Sequence, residues 1–131
     1  MSAVQMTFLP EVNEKEVKKE VIRELRKYRS LKVKFDNRKE QKEYGVVLFK
    51  SFKPIGSKDS ERIDELRVTQ VERCLNISLD ELERSIIEKK YLSPHNETDL
   101  DIYLDLRLKK DSYYKIKGSA LMTIATSLGM V

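Results

Sequence analysis

Lys110, Ser112, Tyr114, Lys115 and Lys117 fall within eight residues of one another, close to the expected start of a helix. Lysines at that place can neutralise phosphates or donate to guanine edges, and a tyrosine can bond phosphate or pack on a thymine methyl. The helix is read from Tyr113, Ile116, Ala120 and Ile124, which recur at three or four residues and form a buried stripe. It begins near Lys110 and runs to Leu128, with Gly129 as a left-handed terminus. The five polar residues lie off the stripe, in its N-terminal half. A recognition helix presents that half to base edges in the major groove of double-stranded DNA.

Other chemistry finds no support. There is no Gly-rich phosphate loop, no Cys–His pair and no His-x-Glu signature, so an enzyme is not expected. Asp80/Glu81 and Asp99/Asp101 read as helix caps before they read as acid–base pairs. Cys74 reads as a small buried hydrophobe. With only His95 beside it, no structural zinc site and no cofactor are expected. Structured RNA lacks an exposed-aromatic sheet or a Gly-loop clamp to hold it.

Composition sets the frame. The chain has 131 residues, 37% charged and 40% hydrophobic, which suits one modest core and not wholesale disorder. No apolar run approaches a membrane span, and residues 1–7 lack the pattern of a secretory signal, so a cytoplasmic protein without a membrane partner is expected. The net charge of +4 is unevenly spread. Residues 11–34 carry nine Lys/Arg against five Glu, and residues 106–131 carry five against one Asp. Between them, residues 61–105 carry six basic against twelve acidic side chains. Polyanion contact is therefore local, with an acidic scaffold between two basic ends.

The positioning elements follow. Residues 1–12 read as a lead-in, with Phe8, Leu9 and Pro10 as an anchoring patch. Asn13 can cap a helix of about 20 residues whose apolar positions are Val17, Val21, Leu25, Tyr28 and Phe35. This face either packs on the main domain or pairs with a second copy. Val17, Val21, Leu25 and Tyr28 are the candidate oligomerisation residues of a homo-oligomer. Five Glu on the same stretch oppose binding to an anionic membrane. Asp36–Glu43 is a charge run that reads as a helix end or linker. The β-leaning stretch from Tyr44 to Phe52, broken by Pro54 and Gly56, reads as a strand, a hairpin arm or an extended segment on another subunit. The preferred reading is an extended linker that docks through Val47, Phe49 and Phe52.

From Asp59 the pattern is helical again, with Ile63, Leu66, Val71 and Leu75 inward and Asn76 at the end. Ser78 and Glu81 form a capping box. The helix they start buries Leu82, Ile86 and Ile87, shows Arg84 outward, ends with Tyr91-Leu92 and is stopped by Ser93-Pro94. Thr98 and Asp101 form a second box. Its short helix turns Ile102, Tyr103 and Leu106 inward, with Arg107 in the turn and Leu108 plugging the core. The fold class is therefore all-α. An N-terminal arm and amphipathic helix (1–35) is joined by an irregular linker (36–60) to a helix-turn-helix domain of about four helices (61–131).

Residues 61–131 resemble the ArpU family of phage-type transcriptional regulators. The resemblance rests on Val71-Glu72-Arg73-Cys74-Leu75, on Leu79-Asp80-Glu81-Leu82-Glu83-Arg84, and on Ile86-Ile87-Glu88-Lys89-Lys90-Tyr91-Leu92. It continues through Thr98-Asp99-Leu100-Asp101-Ile102-Tyr103 and Tyr113-Tyr114-Lys115, and ends with Ala120-Leu121, Ala125 and Leu128-Gly129. The stretch from Glu20 to Leu31, with Lys27-Tyr28-Arg29, is also similar. More distantly, the segment resembles the C-terminal DNA-reading domain of sigma factors. The resemblance implies a regulator of late phage or prophage genes, for lysis or packaging, or of cell-wall hydrolase export. It implies DNA-facing positions at Lys109, Lys110, Ser112, Tyr114, Lys115 and Lys117. Two departures stand out. Arg107 occupies the turn position usually held by Gly, at a cost of about 1–2 kcal/mol for a left-handed residue. Lys109 replaces the usual capping Ser. The rival reading is a non-catalytic adaptor that uses the sigma-like shape to bind RNA polymerase or a phage packaging partner.

Overall fold

A computed structural model of the protein describes residues 12–53, 58–95 and 97–131. Phe8-Leu9-Pro10, Pro54, Gly56 and Asn96 lie outside the described residues. The described residues form five helices and no strand, so the all-α expectation holds and the strand near 44–52 is corrected.

Helix α1 spans Glu14–Tyr44. Asn13 caps it, accepting the Glu16 N–H at 3.3 Å, with Glu14 and Glu16 at the positive end of the helix dipole. It ends at Gly45, whose φ of 65° lets its N–H reach Lys42 O and the Val46 N–H reach Gln41 O. The helix therefore runs nine residues past the expected boundary at 35. The charge run is not a linker: it continues α1, and its Arg38, with Lys32 and Lys34 just before it, meets acids of the next helix. Lys32 pairs with Asp36 on its own helix and with Glu72 across the gap, at 3.4 and 3.5 Å. Lys34 approaches Asp64 at 3.7 Å and Arg38 approaches Glu61 at 2.9 Å. Each half-exposed pair contributes at most about 1 kcal/mol, but together they fix how the polar end of α1 lies along its neighbour.

That neighbour, α2, spans Lys58–Arg73 and continues through a wider, π-helical turn at Cys74–Ser78. A widened turn leaves carbonyls poorly served. Arg84 serves them: its Nε donates to Leu75 O at 2.8 Å and its Nη2 to Asn76 O at 2.9 Å. Arg84 was expected to face outward and is instead a half-buried brace. Helix α3, Glu81–Ile87, is capped by Asp80 and not by Ser78. The Glu83 N–H donates to Asp80 Oδ1 at 2.8 Å and the Asp80 N–H to Glu83 Oε1 at 3.0 Å. Ser78 is taken up by the π-turn and accepts from the Ser127 hydroxyl. A second π-turn, Glu88–Leu92, completes α3 before Ser93-Pro94. Helix α4, Asp99–Asp105, has the expected Thr98–Asp101 box, and α5 spans Lys110–Ser127 with Gly129 left-handed at φ 78°.

One cluster gathers Val21 and Leu25 of α1, Val71 of α2, Leu75, Leu79, Ile87, Tyr91, and Ala120, Leu121, Ile124 and Ala125 of α5. A second joins Ile86, Ile102 and Tyr113, flanked by Tyr103, Leu106, Leu108 and Ile116. Cys74 is buried, as expected of a small hydrophobe. Gly118 lies where α1 crosses α5, since a Cβ there would come within 3.1 Å of Lys18 Nζ.

Three expectations are corrected by this packing. Val21 and Leu25 are fully buried, and Val17 and Tyr28 pack on the same cluster. These four residues hold α1 to the chain's own core, so they are not free to pair with a second copy. The division into an arm, a linker and a separate domain gives way to one core that includes α1. Ile63 and Leu66, expected inward, are 58% and 55% exposed, because Val68 and Val71 take the inner face of α2. No helix among the described residues is long and apolar enough to cross a membrane.

Candidate nucleic-acid interface

The joint between α4 and α5 is set by three backbone conditions. Leu106 ends α4, and Arg107 then adopts φ 57°, the one non-glycine residue with positive φ among those described. The Arg107 N–H reaches Leu104 O at 3.1 Å and the Leu108 N–H reaches Tyr103 O at 2.8 Å. This is a Schellman terminus, and Leu108 and Tyr103 pack in the same cluster, as that motif favours. The turn thus keeps its geometry with arginine where glycine is easier. Arg107→Gly is expected to raise stability by about 1 kcal/mol, seen as a melting temperature a few degrees higher. An unchanged or lower temperature would contradict a strained Arg107.

The next residue but one, Lys109, sits at the N-cap of α5 and makes no side-chain cap bond, as expected where serine is replaced. What holds the start of α5 is instead Asp99, the first residue of α4. The Tyr113 hydroxyl donates to Asp99 Oδ1 at 2.6 Å and Lys117 Nζ donates to the same oxygen at 3.0 Å. Lys90 approaches at 3.8 Å. Tyr113 itself is fully buried, tilted against Tyr103 with ring centroids 5.7 Å apart. Lys117 lies 5.5 Å from the Tyr113 ring centre and 5.0 Å from that of Tyr114. One carboxylate therefore ties α3, α4 and α5 together.

Burial alone would raise the Asp99 carboxyl, but the bonds from Tyr113 and Lys117, with the Lys117 and Lys90 charges, outweigh it and hold Asp99 below the usual carboxylate value. Burial, reinforced by Asp99, pushes the Tyr113 hydroxyl well above its ordinary value, so it remains a donor. A carboxyl with a depressed folded-state value stabilises the fold above the unfolded-state value, about 3.9, and loses that contribution as pH falls through the lower folded-state value. Asp99→Asn is therefore expected to melt below the unmodified chain at pH 7, with the difference shrinking under pH 4. A difference that persists undiminished at pH 2–3 would show that Asp99 does not act through its charge.

The structure brings Lys109, Lys110, Ser112, Tyr114 and Lys115 together as exposed residues at one end of α5. Tyr114 is 42% exposed, while its neighbour Tyr113 is the core residue. Arg107 is exposed beside them. Among the described residues, none of Arg107, Lys109, Lys110 and Lys115 makes an ion pair. Lys117 is the exception and corrects the expectation. Its side chain is only 15% exposed and is committed to Asp99. The spacing contains the signal, since Lys117 follows Tyr113 by four residues and so shares its buried face. Arg107 was read only as a turn residue, although the terminus that strains it also points it outward with the lysines. No family model, curated protein or solved structure matches the chain.

Proposed function

We propose that the protein is a double-stranded-DNA-binding transcription regulator of the ArpU type, reading the major groove with the first half of α5. One observation carries the reading. Arg107, Lys109, Lys110 and Lys115 are exposed without acidic partners among the described residues, whereas Lys117, Lys89 and Lys90 around them are paired with acids. Unpaired cations at the N-terminal end of a helix are what phosphate neutralisation in the groove needs. Ser112 and Tyr114 supply hydrogen-bonding groups between them. The targets proposed are late phage or prophage genes, or genes of cell-wall hydrolase export. A footprint on the DNA flanking its own gene tests this: protection of a discrete site supports the reading, and no protection at low salt contradicts it.

A second reading has its own observation. Leu100 and Leu104, four residues apart on α4, are 51% and 62% exposed, and an apolar pair on that helix suits a protein partner such as RNA polymerase. Binding to polymerase with no binding to DNA alone would favour the adaptor.

A further inference from the structure

From the last residue of α1 onward, a run of apolar side chains stands exposed among the described residues. Tyr44, Val47, Leu48, Phe49 and Phe52 are 66–88% exposed and Val46 is 44% exposed. Val47, Phe49 and Phe52, expected to dock, stay exposed among the described residues. The segment is nevertheless held in place. The Val46 N–H bonds Gln41 O at 3.0 Å and the Leu48 N–H bonds Gln41 Oε1 at 3.0 Å. At its far end Lys53 lies 3.9 Å from Asp64, on the turn of α2 that carries exposed Ile63 and Leu66. Lys34 meets the same carboxylate, and the Lys53 ammonium beside it pushes the Lys34 amine below the usual lysine range. Val46 and Leu48 turn their amides inward to Gln41, and the Val47 N–H between them has no partner among the described residues.

We infer that the segment 44–52 is a self-association surface, covered by the same segment of a second copy of this chain. Area and charge choose that occupant. The first is area. Aromatic side chains carry roughly 150–250 Å² each, so three of them and three aliphatics at this exposure offer on the order of 800 Å², the share a standard interface takes from each partner. The second is charge. Lys39, Glu40, Lys42 and Glu43, exposed on the last turns of α1, and Lys50 within the segment mix both signs. A two-fold apposition can set Lys against Glu, while an anionic surface or a strongly basic partner finds no matching field. The choice also rests in part on the DNA reading, since one recognition helix covers too few base pairs and works as half of a two-fold pair.

The test is sedimentation of the full chain without DNA over a concentration series, beside the double variant Val47→Asp, Phe49→Asp. Both positions are exposed, so melting is expected to be unchanged. A dimer that becomes a monomer in the variant supports the inference. A chain that stays monomeric throughout, or a dimer that survives both aspartates, overturns it. Hydrogen exchange of the Val47 amide on the unmodified chain reads the same surface without a substitution. Exchange should slow as the dimer fills, and exchange indifferent to concentration contradicts the interface. Neither measurement contains DNA, so failure here leaves the DNA reading standing, and a chain that dimerises but binds no DNA fails only that reading.

Discussion

Tyr113→Ala is expected to lower the melting temperature by more than 10 °C, on the order of the 3–5 kcal/mol that an emptied aromatic core site costs. The ring is fully buried between Ile86 and Ile102, so its removal opens a cavity that rigid helices on three sides cannot close. Its hydroxyl also supplies the shortest bond to Asp99, and the variant leaves that half-buried carboxylate to Lys117 and Lys90 alone. Tyr113→Phe separates the two contributions. It keeps the ring and loses the hydrogen bond, and should cost only about 1.5–3 kcal/mol. Thermal melting by circular dichroism checks both. Cooperative melting of Tyr113→Ala at the unmodified temperature would show that α5 is not anchored through this residue.

Lys110→Ala with Lys115→Ala is expected to do the reverse: unchanged melting, and duplex affinity reduced roughly tenfold to a hundredfold for two lost charge-assisted contacts. Both side chains are exposed and unpaired among the described residues, so their removal costs the fold nothing that the structure shows. Lys117 provides the internal contrast. It sits two residues further along the same helix, but its ammonium is spent on Asp99 and two tyrosine rings. Lys117→Ala should lower stability and leave the electrostatics of DNA binding nearly untouched. Two lysines so close in sequence should thus fail in opposite assays.

What could be read from the sequence was what local pattern decides. The stripe Tyr113, Ile116, Ala120 and Ile124 placed α5, and Tyr113, Ala120 and Ile124 are indeed buried. The turn at Arg107 was legible in the pattern, and its left-handed conformation through the resemblance, which places Gly there. The Thr98–Asp101 box was legible because no competing cap stood nearby. Before α3 two boxes overlap, Ser78–Glu81 and Asp80–Glu83, and only the π-turn at Cys74–Ser78 decides between them. A polar run such as 36–43 looks like a linker until Glu61 is seen opposite its Arg38. That partner is more than 20 residues away in the chain, so no local window contains it. The same holds for Arg84, whose targets are carbonyls that exist only because a turn is widened, and for Val21 and Leu25. An amphipathic face shows that something covers it and not what, and here the cover is α5. At the interface itself, exposed residue types were legible, and the commitment of Lys117 to Asp99 needed the fold.

The most direct measurement is the salt dependence of duplex binding for the unmodified chain, Lys110→Ala/Lys115→Ala and Lys117→Ala. Each phosphate contact contributes roughly 0.9 to the slope of log affinity against log salt. The double variant is expected to lose about 2 from that slope, with both lysines on phosphates, while Lys117→Ala keeps the slope of the unmodified chain. A double variant with the unmodified slope and affinity would contradict reading by the start of α5.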